Sequence, residues 1–382
     1  MRKDFEYLDE KDVYLDGSCQ SLRPAPVINA MREYYEQYNS CSERVKYKWG
    51  QTVDAKVEET RRRVLKWLGL SGRKYFTSFT LNTTYGINLV LSQIKPGVFS
   101  KIITSDIEHN SVFLPSIAFA KKHGIKRVLL SRNDDGSLPL DVDFAEALVV
   151  VNTVSNIDGR ELKNLRELVK KVRGSGGRII LDAAQTMAHH SEILKGVEAD
   201  AICFSAHKMY AASLGVVVCR QDFLQTLEVG FVGGGMVDDA REDDYDLSCY
   251  SSDHWHTIFE PGVQAYAEIL ALGEATRWLA GQDKKALERR TQKLYQFLAD
   301  HPKVRLINQE PNAVMSFYVE GVDSHLLAAS LSRAGVMARS GYFCCHYYLK
   351  NFKNYPPLLR FSLGHHNTDA DIDRVIQALS GL

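Results

Sequence analysis

From residue 74 onward the chain alternates short apolar runs with stretches of helical spacing, and that alternation leaves few folds open. The runs occupy residues 74–78, 101–105, 126–130, 148–153, 178–182, 200–204 and 214–219; helical patterns fill 84–93, 110–123, 161–173 and 221–228. Runs that are apolar almost throughout belong to strands buried on both faces, and intervening helices supply the cover and crossovers that parallel strands require. The expectation is an α/β fold built on a mainly parallel seven-stranded sheet. In such sheets ligands gather beyond the carboxyl ends of the strands.

The flanking segments complete the layout. Val27, Ile28, Met31, Tyr34, Tyr35 and Tyr38 repeat at three- and four-residue spacing behind Pro24 and Pro26, and a second helix covers residues 52–68 until Gly69 stops it. Within it Arg61-Arg62-Arg63 reads as a solvated face, and Tyr47 and Trp49 read as packing residues, because no basic stripe interleaves with them. Gly233-Gly234-Gly235 and the acidic residues 238–246 read as a long exposed functional or interface loop. Residues 262–281 form a helix bridging into an α+β region, with strands at 304–307, 313–319 and 358–363 and helices at 324–334 and 368–379. The expected division is a large domain at 21–261 and a small one made of 1–20 and 262–382.

A chain of 382 residues with 45% hydrophobic residues and no net charge can bury a large core, and its balance offers nothing to nucleic acid. Neither a signal-like leader nor a bilayer-length apolar run is present, so no membrane is expected. Seven cysteines, an odd number without paired CxxC spacing, point to a reducing cytosol.

The polar residues that follow the strands carry the chemistry. Lys208 in Ser205-Ala206-His207-Lys208 closes one run, where a lysine can hold a carbonyl cofactor as a Schiff base. Asp182 closes another, and a carboxylate there can keep a pyridine nitrogen protonated, with Gln185 near a phenolic oxygen. Asp182 can equally cap the turn that follows. Asn82-Thr83-Thr84 opens a helix and suits a phosphate ester through free amides and two hydroxyls, although the same residues make an ordinary cap. His109 can stack on a planar ring or act as an acid or base.

Taken in register, Thr83-Thr84, Glu108-His109, Ser155-Asn156, Asp182-x-x-Gln185, Ser205-x-His207-Lys208 and Phe259-Glu260-x-Gly262 resemble the cofactor site of class V, fold-type I pyridoxal-phosphate enzymes. Arg339-x-Gly341-x-x-Cys344, Arg360-x-Ser362-Leu363 and Asn367-Thr368 narrow the resemblance to group II cysteine desulfurases and selenocysteine lyases, over nearly the whole chain. The resemblance implies that Lys208 anchors pyridoxal 5'-phosphate and moves the substrate Cα proton. It implies Asp182 at the ring nitrogen, Gln185 at the phenolic oxygen and His109 against the ring. Thr83, Thr84, Ser205 and His207 match phosphate positions. Asn156, which borders the cofactor, and Arg360 match ligands of the substrate carboxylate, with Arg339 nearby.

Cys344 matches the nucleophile that takes sulfur from L-cysteine as a persulfide and leaves alanine, chemistry that needs a thiolate. The implied enzyme is a homodimer with the three glycines crossing to the partner subunit, and a protein sulfur acceptor is possible. Selenocysteine lyase, epimerase or aminotransferase-like activities, and a non-enzymatic sulfur-transfer scaffold, are the alternatives. Three departures stand out: Cys345 follows the nucleophile where alanine is common, Val263 replaces a threonine that reaches the partner's phosphate, and Asn82 replaces a glycine. Cys345 is open to two readings, a second thiol that resolves or relays the persulfide or a core-facing residue, and the second is favoured, since neighbours in extended chain point to opposite sides. Cys344-Cys345-His346 with His365-His366 lacks zinc-ligand spacing, so no metal is expected.

Overall fold

The computed structural model describes residues 2–43, 45–251 and 254–381. Seven strands form the large sheet in the order Tyr75–Thr80, Gly215–Arg220, Ala201–Ser205, Arg178–Asp182, Ala147–Asn152, Lys101–Ser105, Lys126–Leu130. All seven apolar runs of the sequence are strands. Only Gly215–Arg220 runs against its neighbours; every other adjacent pair is parallel.

Side-chain alternation explains why the runs look uniformly apolar. Val149 and Val151 belong to the core on one face, with Leu181, Ile202 and Phe204, while Leu148 and Val150 belong to the core on the other, with Ile102 and Ile180. Both faces are closed by helices, so neither set of side chains meets water. Each fully buried valine, leucine or isoleucine contributes roughly 1.5–3 kcal/mol, and this apolar interior holds the polar strand ends in place. The register aligns those ends: Asn152 sits opposite Asp182, Asp182 opposite Cys203, and Ser205 opposite Gly215.

A second, four-stranded antiparallel sheet runs Val304–Leu306, Val314–Val319, Leu358–Ser362, Arg339–Gly341. The N-terminal strand Val13–Tyr14 pairs in parallel with Val336–Met337, and Asp16 bridges to Ser362. The first residues of the chain therefore lie against its last third.

Several elements differ from the sequence expectation. Residues 221–228 are not an α-helix but a short 3-10 turn, Gln221–Thr226. The helix Lys284–Asp300 was not anticipated; it turns Leu287, Leu294 and Leu298 inward beneath a charged outer face. The acidic stretch is exposed as expected, yet Val237–Ala240 and Tyr245–Leu247 pair as antiparallel strands rather than forming an open loop. Arg61 is not solvated. It is 6% exposed and forms a bidentate pair with Glu260 at 2.7 and 2.6 Å. The helix Tyr266–Ala280 packs along Ala25–Gln37 and Lys48–Leu68 in the core of the large sheet. Among the described residues no helix is long and apolar enough to cross a membrane.

Candidate active site

The strand ends open onto one cavity of about 280 Å3, and its wall includes every candidate residue read from the sequence: Thr83, Thr84, His109, Asn156, Asp182, Gln185, Ser205, His207, Lys208, Arg339, Cys344 and Arg360. Ser18, Cys19, Ser111, Asn152 and Phe343 also line it, and sequence reasoning passed over all five as site residues. Ser18 and Cys19 come from the N-terminal turn, which no local periodicity could fold back onto the sheet.

Lys208 ends a single 3-10 turn, Ala206–Lys208, that begins where the strand Ala201–Ser205 stops. Ser21 fixes this turn by donating its backbone N–H and its hydroxyl to the His207 carbonyl at 2.9 and 2.8 Å. Burial pushes the Lys208 ammonium pKa down, with Asp182 opposing the shift, which favours the neutral, nucleophilic amine. Asp182, 4% exposed, is pushed the other way by burial and is held back by the Ala184 N–H, which donates to its carboxylate at 2.9 Å, and by Lys208. Asp182 thus makes the turn-capping bond and still faces the cavity. The Gln185 amide donates to the Ser18 carbonyl at 2.9 Å.

The helix Thr83–Ser92 points its N-terminus at the cavity, capped by the Asn82 side chain, which accepts the Tyr85 N–H at 2.9 Å. Asn82 has φ −170°, extended backbone open to any residue, so the departure from glycine costs nothing here. Thr83 and Ser205 hydroxyls lie 2.6 Å apart, as do those of Thr84 and Ser111. Gly215 allows this cluster to form: a Cβ there would stand 2.6 Å from the Asn82 backbone and 2.3 Å from the Thr80 hydroxyl. Hydroxyls converging on a helix N-terminus fit a phosphate group.

His109 is the N-cap of the next helix, Asn110–His123, where its Nδ1 accepts the Ser111 N–H at 3.0 Å, placing the ring proton on Nε2. Burial, with Lys208 and Arg360 adding, pushes its pKa down to about 3. A histidine so shifted gains a proton only below that pH, so the ring is neutral throughout the physiological range. The expected result is that the His109 resonances do not titrate between pH 5 and 8 in an NMR series, whereas an unshifted histidine would move through its midpoint near 6.5.

The opposite wall comes from the second sheet. Phe343 and Cys344 both have positive φ, 48° and 57°, two consecutive non-glycine residues in left-handed backbone at a cost of roughly 1–3 kcal/mol each. Three contacts hold this loop: Asn156 donates to the Phe343 carbonyl at 2.8 Å, Asn110 N–H to the Cys344 carbonyl at 2.7 Å, and the Arg360 guanidinium lies 4.7 Å over the Phe343 ring. The consequence is that Cys344 is exposed at the cavity mouth while Cys345 is fully buried, its thiol donating toward the Glu108 and Ile107 carbonyls. Cys345 faces the core, and burial pushes its thiol pKa well up, so it stays protonated.

Arg360, 3% exposed, donates to the Asn156 carbonyl at 3.0 Å, yet its Nε has no hydrogen-bond partner among the described residues, and neither does the buried Ser18 hydroxyl. Buried donors left unmet are costly, so both atoms mark where an acceptor such as a carboxylate fits.

The model of the Aminotransferase class-V family matches residues 13–375. A probable cysteine desulfurase of Pyrococcus abyssi is 30% identical over 375 residues, covering 92% of this chain and 90% of that protein. The apo structure of cysteine desulfurase from Thermococcus onnurineus superposes with a TM-score of 0.89 at 28% identity, covering 100% of this chain and 98% of that one. A C-DES mutant with glycine covalently linked to its PLP cofactor shares the fold, with a TM-score of 0.81 at 17% identity over 100% of this chain and 99% of that one.

Proposed function

The chain belongs to the class-V aminotransferase family, and from that premise we propose that it is a pyridoxal-phosphate-dependent cysteine desulfurase, converting L-cysteine to L-alanine with the sulfur passed to Cys344. The observation that carries this reading is the meeting of Lys208, Asp182, the hydroxyl cluster, Arg360 and an exposed Cys344 in one cavity. Pyridoxal phosphate, when bound, supplies a protonated ring that draws electron density from the amino acid's Cα.

The protein's own residues then have distinct tasks. Thr83, Thr84, Ser205 and His207 would hold the phosphate, Asp182 would keep the ring nitrogen protonated, Gln185 would serve the phenolic oxygen and the neutral His109 would pack on the ring. Lys208 is the covalent anchor and moves the proton at Cα. The substrate carboxylate takes the free Nε of Arg360 and the neighbourhood of Asn156, which leaves the substrate sulfur toward Cys344. The Cys344 thiolate forms a bond to that sulfur as the carbon–sulfur bond breaks, its electron pair staying with carbon and being protonated. Enzyme thiol plus cysteine become enzyme persulfide plus alanine, with no outside oxidant or reductant. Left-handed backbone at Phe343 and Cys344 holds the thiol at the mouth, where a sulfur acceptor can reach it.

This reading extends to the assembly. The enzyme works in the cytosol as a homodimer, supported by the exposed Phe231, Val232 and Val263 around the triple glycine, and it hands sulfur to a protein acceptor. Val263, 81% exposed, offers the partner no hydroxyl. The helix Tyr266–Ala280, which opens the second unit at residue 262, shares the core of the large sheet and so ties the two units together.

Cys344→Ser tests the nucleophile. The cofactor-loaded variant is expected to bind cysteine, shown by a change in visible absorption, but to form no persulfide and less than about one hundredth of the alanine, since serine is a far weaker nucleophile than thiolate at neutral pH. Cys345→Ala is expected to retain both products. Full alanine yield from Cys344→Ser would sink the assignment.

A further inference from the structure

Arg339 and Arg360 are direct partners on adjacent antiparallel strands, a placement in which two like charges repel. What reconciles them is Asp16, from the N-terminal turn. Arg339 Nε donates to both carboxylate oxygens of Asp16 at 3.1 and 3.0 Å, and its Nη2 donates to Oδ2 at 2.9 Å. Arg360 reaches the same carboxylate only through Nη2, at 3.3 Å. The turn itself is tied down independently of any side-chain charge: Asp16 bridges to Ser362, the Ser18 N–H donates to the Ser362 hydroxyl at 2.9 Å, and the Cys19 and Gln20 N–H groups return to the Asp16 carbonyl. The carboxylate is thus set by the backbone, 17% exposed, between an arginine that is 44% exposed and one that is 3% exposed.

The division of contacts is unequal, and that inequality has a chemical consequence. Arg339 has its Nε and Nη2 engaged by Asp16, whereas Arg360 gives that carboxylate Nη2 alone and keeps a buried Nε with no partner among the described residues. Two guanidinium groups and one carboxylate leave a net single positive charge on this wall of the cavity. We propose that Asp16 is a specificity-determining residue: by neutralising Arg339 it leaves Arg360 as the arginine that meets the substrate carboxylate, so the site favours amino acids carrying one carboxylate over those carrying two. The proposal rests on the reading of Arg360 as the carboxylate ligand. Arg339 begins the strand that leads into the loop bearing Cys344 and lines the same cavity, so a released Arg339 would attract an anionic side chain bound there.

The test uses the cofactor-loaded enzyme and two amino acids that carry no sulfur, L-alanine with one carboxylate and L-aspartate with two, each titrated against the visible absorption of the bound cofactor. Asp16→Asn is expected to shift the ratio of dissociation constants at least about tenfold toward aspartate, the scale of one charge-assisted hydrogen bond. Asp16→Glu, which keeps the carboxylate, is expected to restore the original preference, and adding Arg339→Gln to Asp16→Asn is expected to remove the gain. A role confined to holding the fold would weaken both ligands alike, and an unchanged ratio in Asp16→Asn overturns the proposal. Should that variant not fold, Arg339→Gln alone reads the same arrangement from the other side. Freed from Arg339, Asp16 turns to Arg360 and alanine binding weakens severalfold; undiminished binding overturns the proposal. Arg360→Gln separates the underlying reading, since it must weaken both amino acids together, and if it weakens neither, the carboxylate assignment itself has failed.

Discussion

Lys208→Ala protein is expected to fold normally and to release alanine from L-cysteine at less than about one thousandth of the wild-type rate, the loss of a covalent anchor and a proton-transfer group in one substitution. The turn that presents Lys208 does not depend on its side chain. Ala206 N–H donates to the Leu214 carbonyl at 2.8 Å, Met209 and Ala211 N–H groups return to the Ala206 carbonyl, and Ser21 holds the His207 carbonyl. The Lys208 amine makes no hydrogen bond or ion pair among the described residues, so truncation orphans no partner. The thermal midpoint should accordingly change little, because large losses come from cavities, unmet polar groups or broken networks.

That separation makes the experiment decisive. A thermal melt by circular dichroism reads the fold, visible absorption reads attachment of the cofactor, and an assay of alanine reads turnover. Loss of the second and third with the first intact assigns Lys208 to chemistry. Substantial alanine formation by the variant would remove Lys208 from the centre of the site and take the proposed function with it.

What the sequence showed clearly is what nearest-neighbour physics writes locally. Val149, Val150 and Val151 are apolar in succession because both faces of their strand are covered, and strand ends at Asp182 and Ser205 follow from where those runs stop. The direction of Gly215–Arg220 left no such mark, since an antiparallel strand enclosed by the same helices reads like a parallel one. The helix Lys284–Asp300 did leave a signal, Leu287, Thr291, Leu294 and Leu298 at three- and four-residue steps. Its many charged residues obscured that stripe. Asp16 and Arg61 were hidden for a different reason: their partners lie 344 and 199 residues away, and no periodicity reports a contact at that separation. For Arg61 the charge run suggested water, because an exposed and a paired arginine look alike until the carboxylate is in place.

The Arg61–Glu260 pair gives the second large effect, on stability. Its guanidinium donates to both Glu260 oxygens and to the Thr77 carbonyl and lies 4.7 Å over the Phe79 ring, while Glu260 also accepts the Phe79 N–H at 2.5 Å. Glu260→Ala takes from a buried cation its bidentate partner, leaving it the Thr77 carbonyl and the more exposed Glu58, and leaves the Phe79 amide without its acceptor, and a loss of about 3 kcal/mol is expected from such a break. Denaturant titration would measure it as a lowered midpoint at unchanged slope. Glu260→Gln, which keeps an acceptor but not the charge, should lose less, and replacing both partners by Met and Leu should recover much of the difference, since the desolvation cost of the charges disappears with them. The damage should also reach the active site. Thr77 and Phe79 belong to the strand Tyr75–Thr80, which leads directly into Asn82, Thr83 and Thr84, so loosening that strand loosens the hydroxyl cluster at its end. Glu260→Ala protein is therefore expected to hold pyridoxal phosphate more weakly under conditions where it is still folded, and the double replacement to regain cofactor affinity along with stability. If stability falls while cofactor affinity stays at the wild-type level, the strand and the cluster are not mechanically coupled.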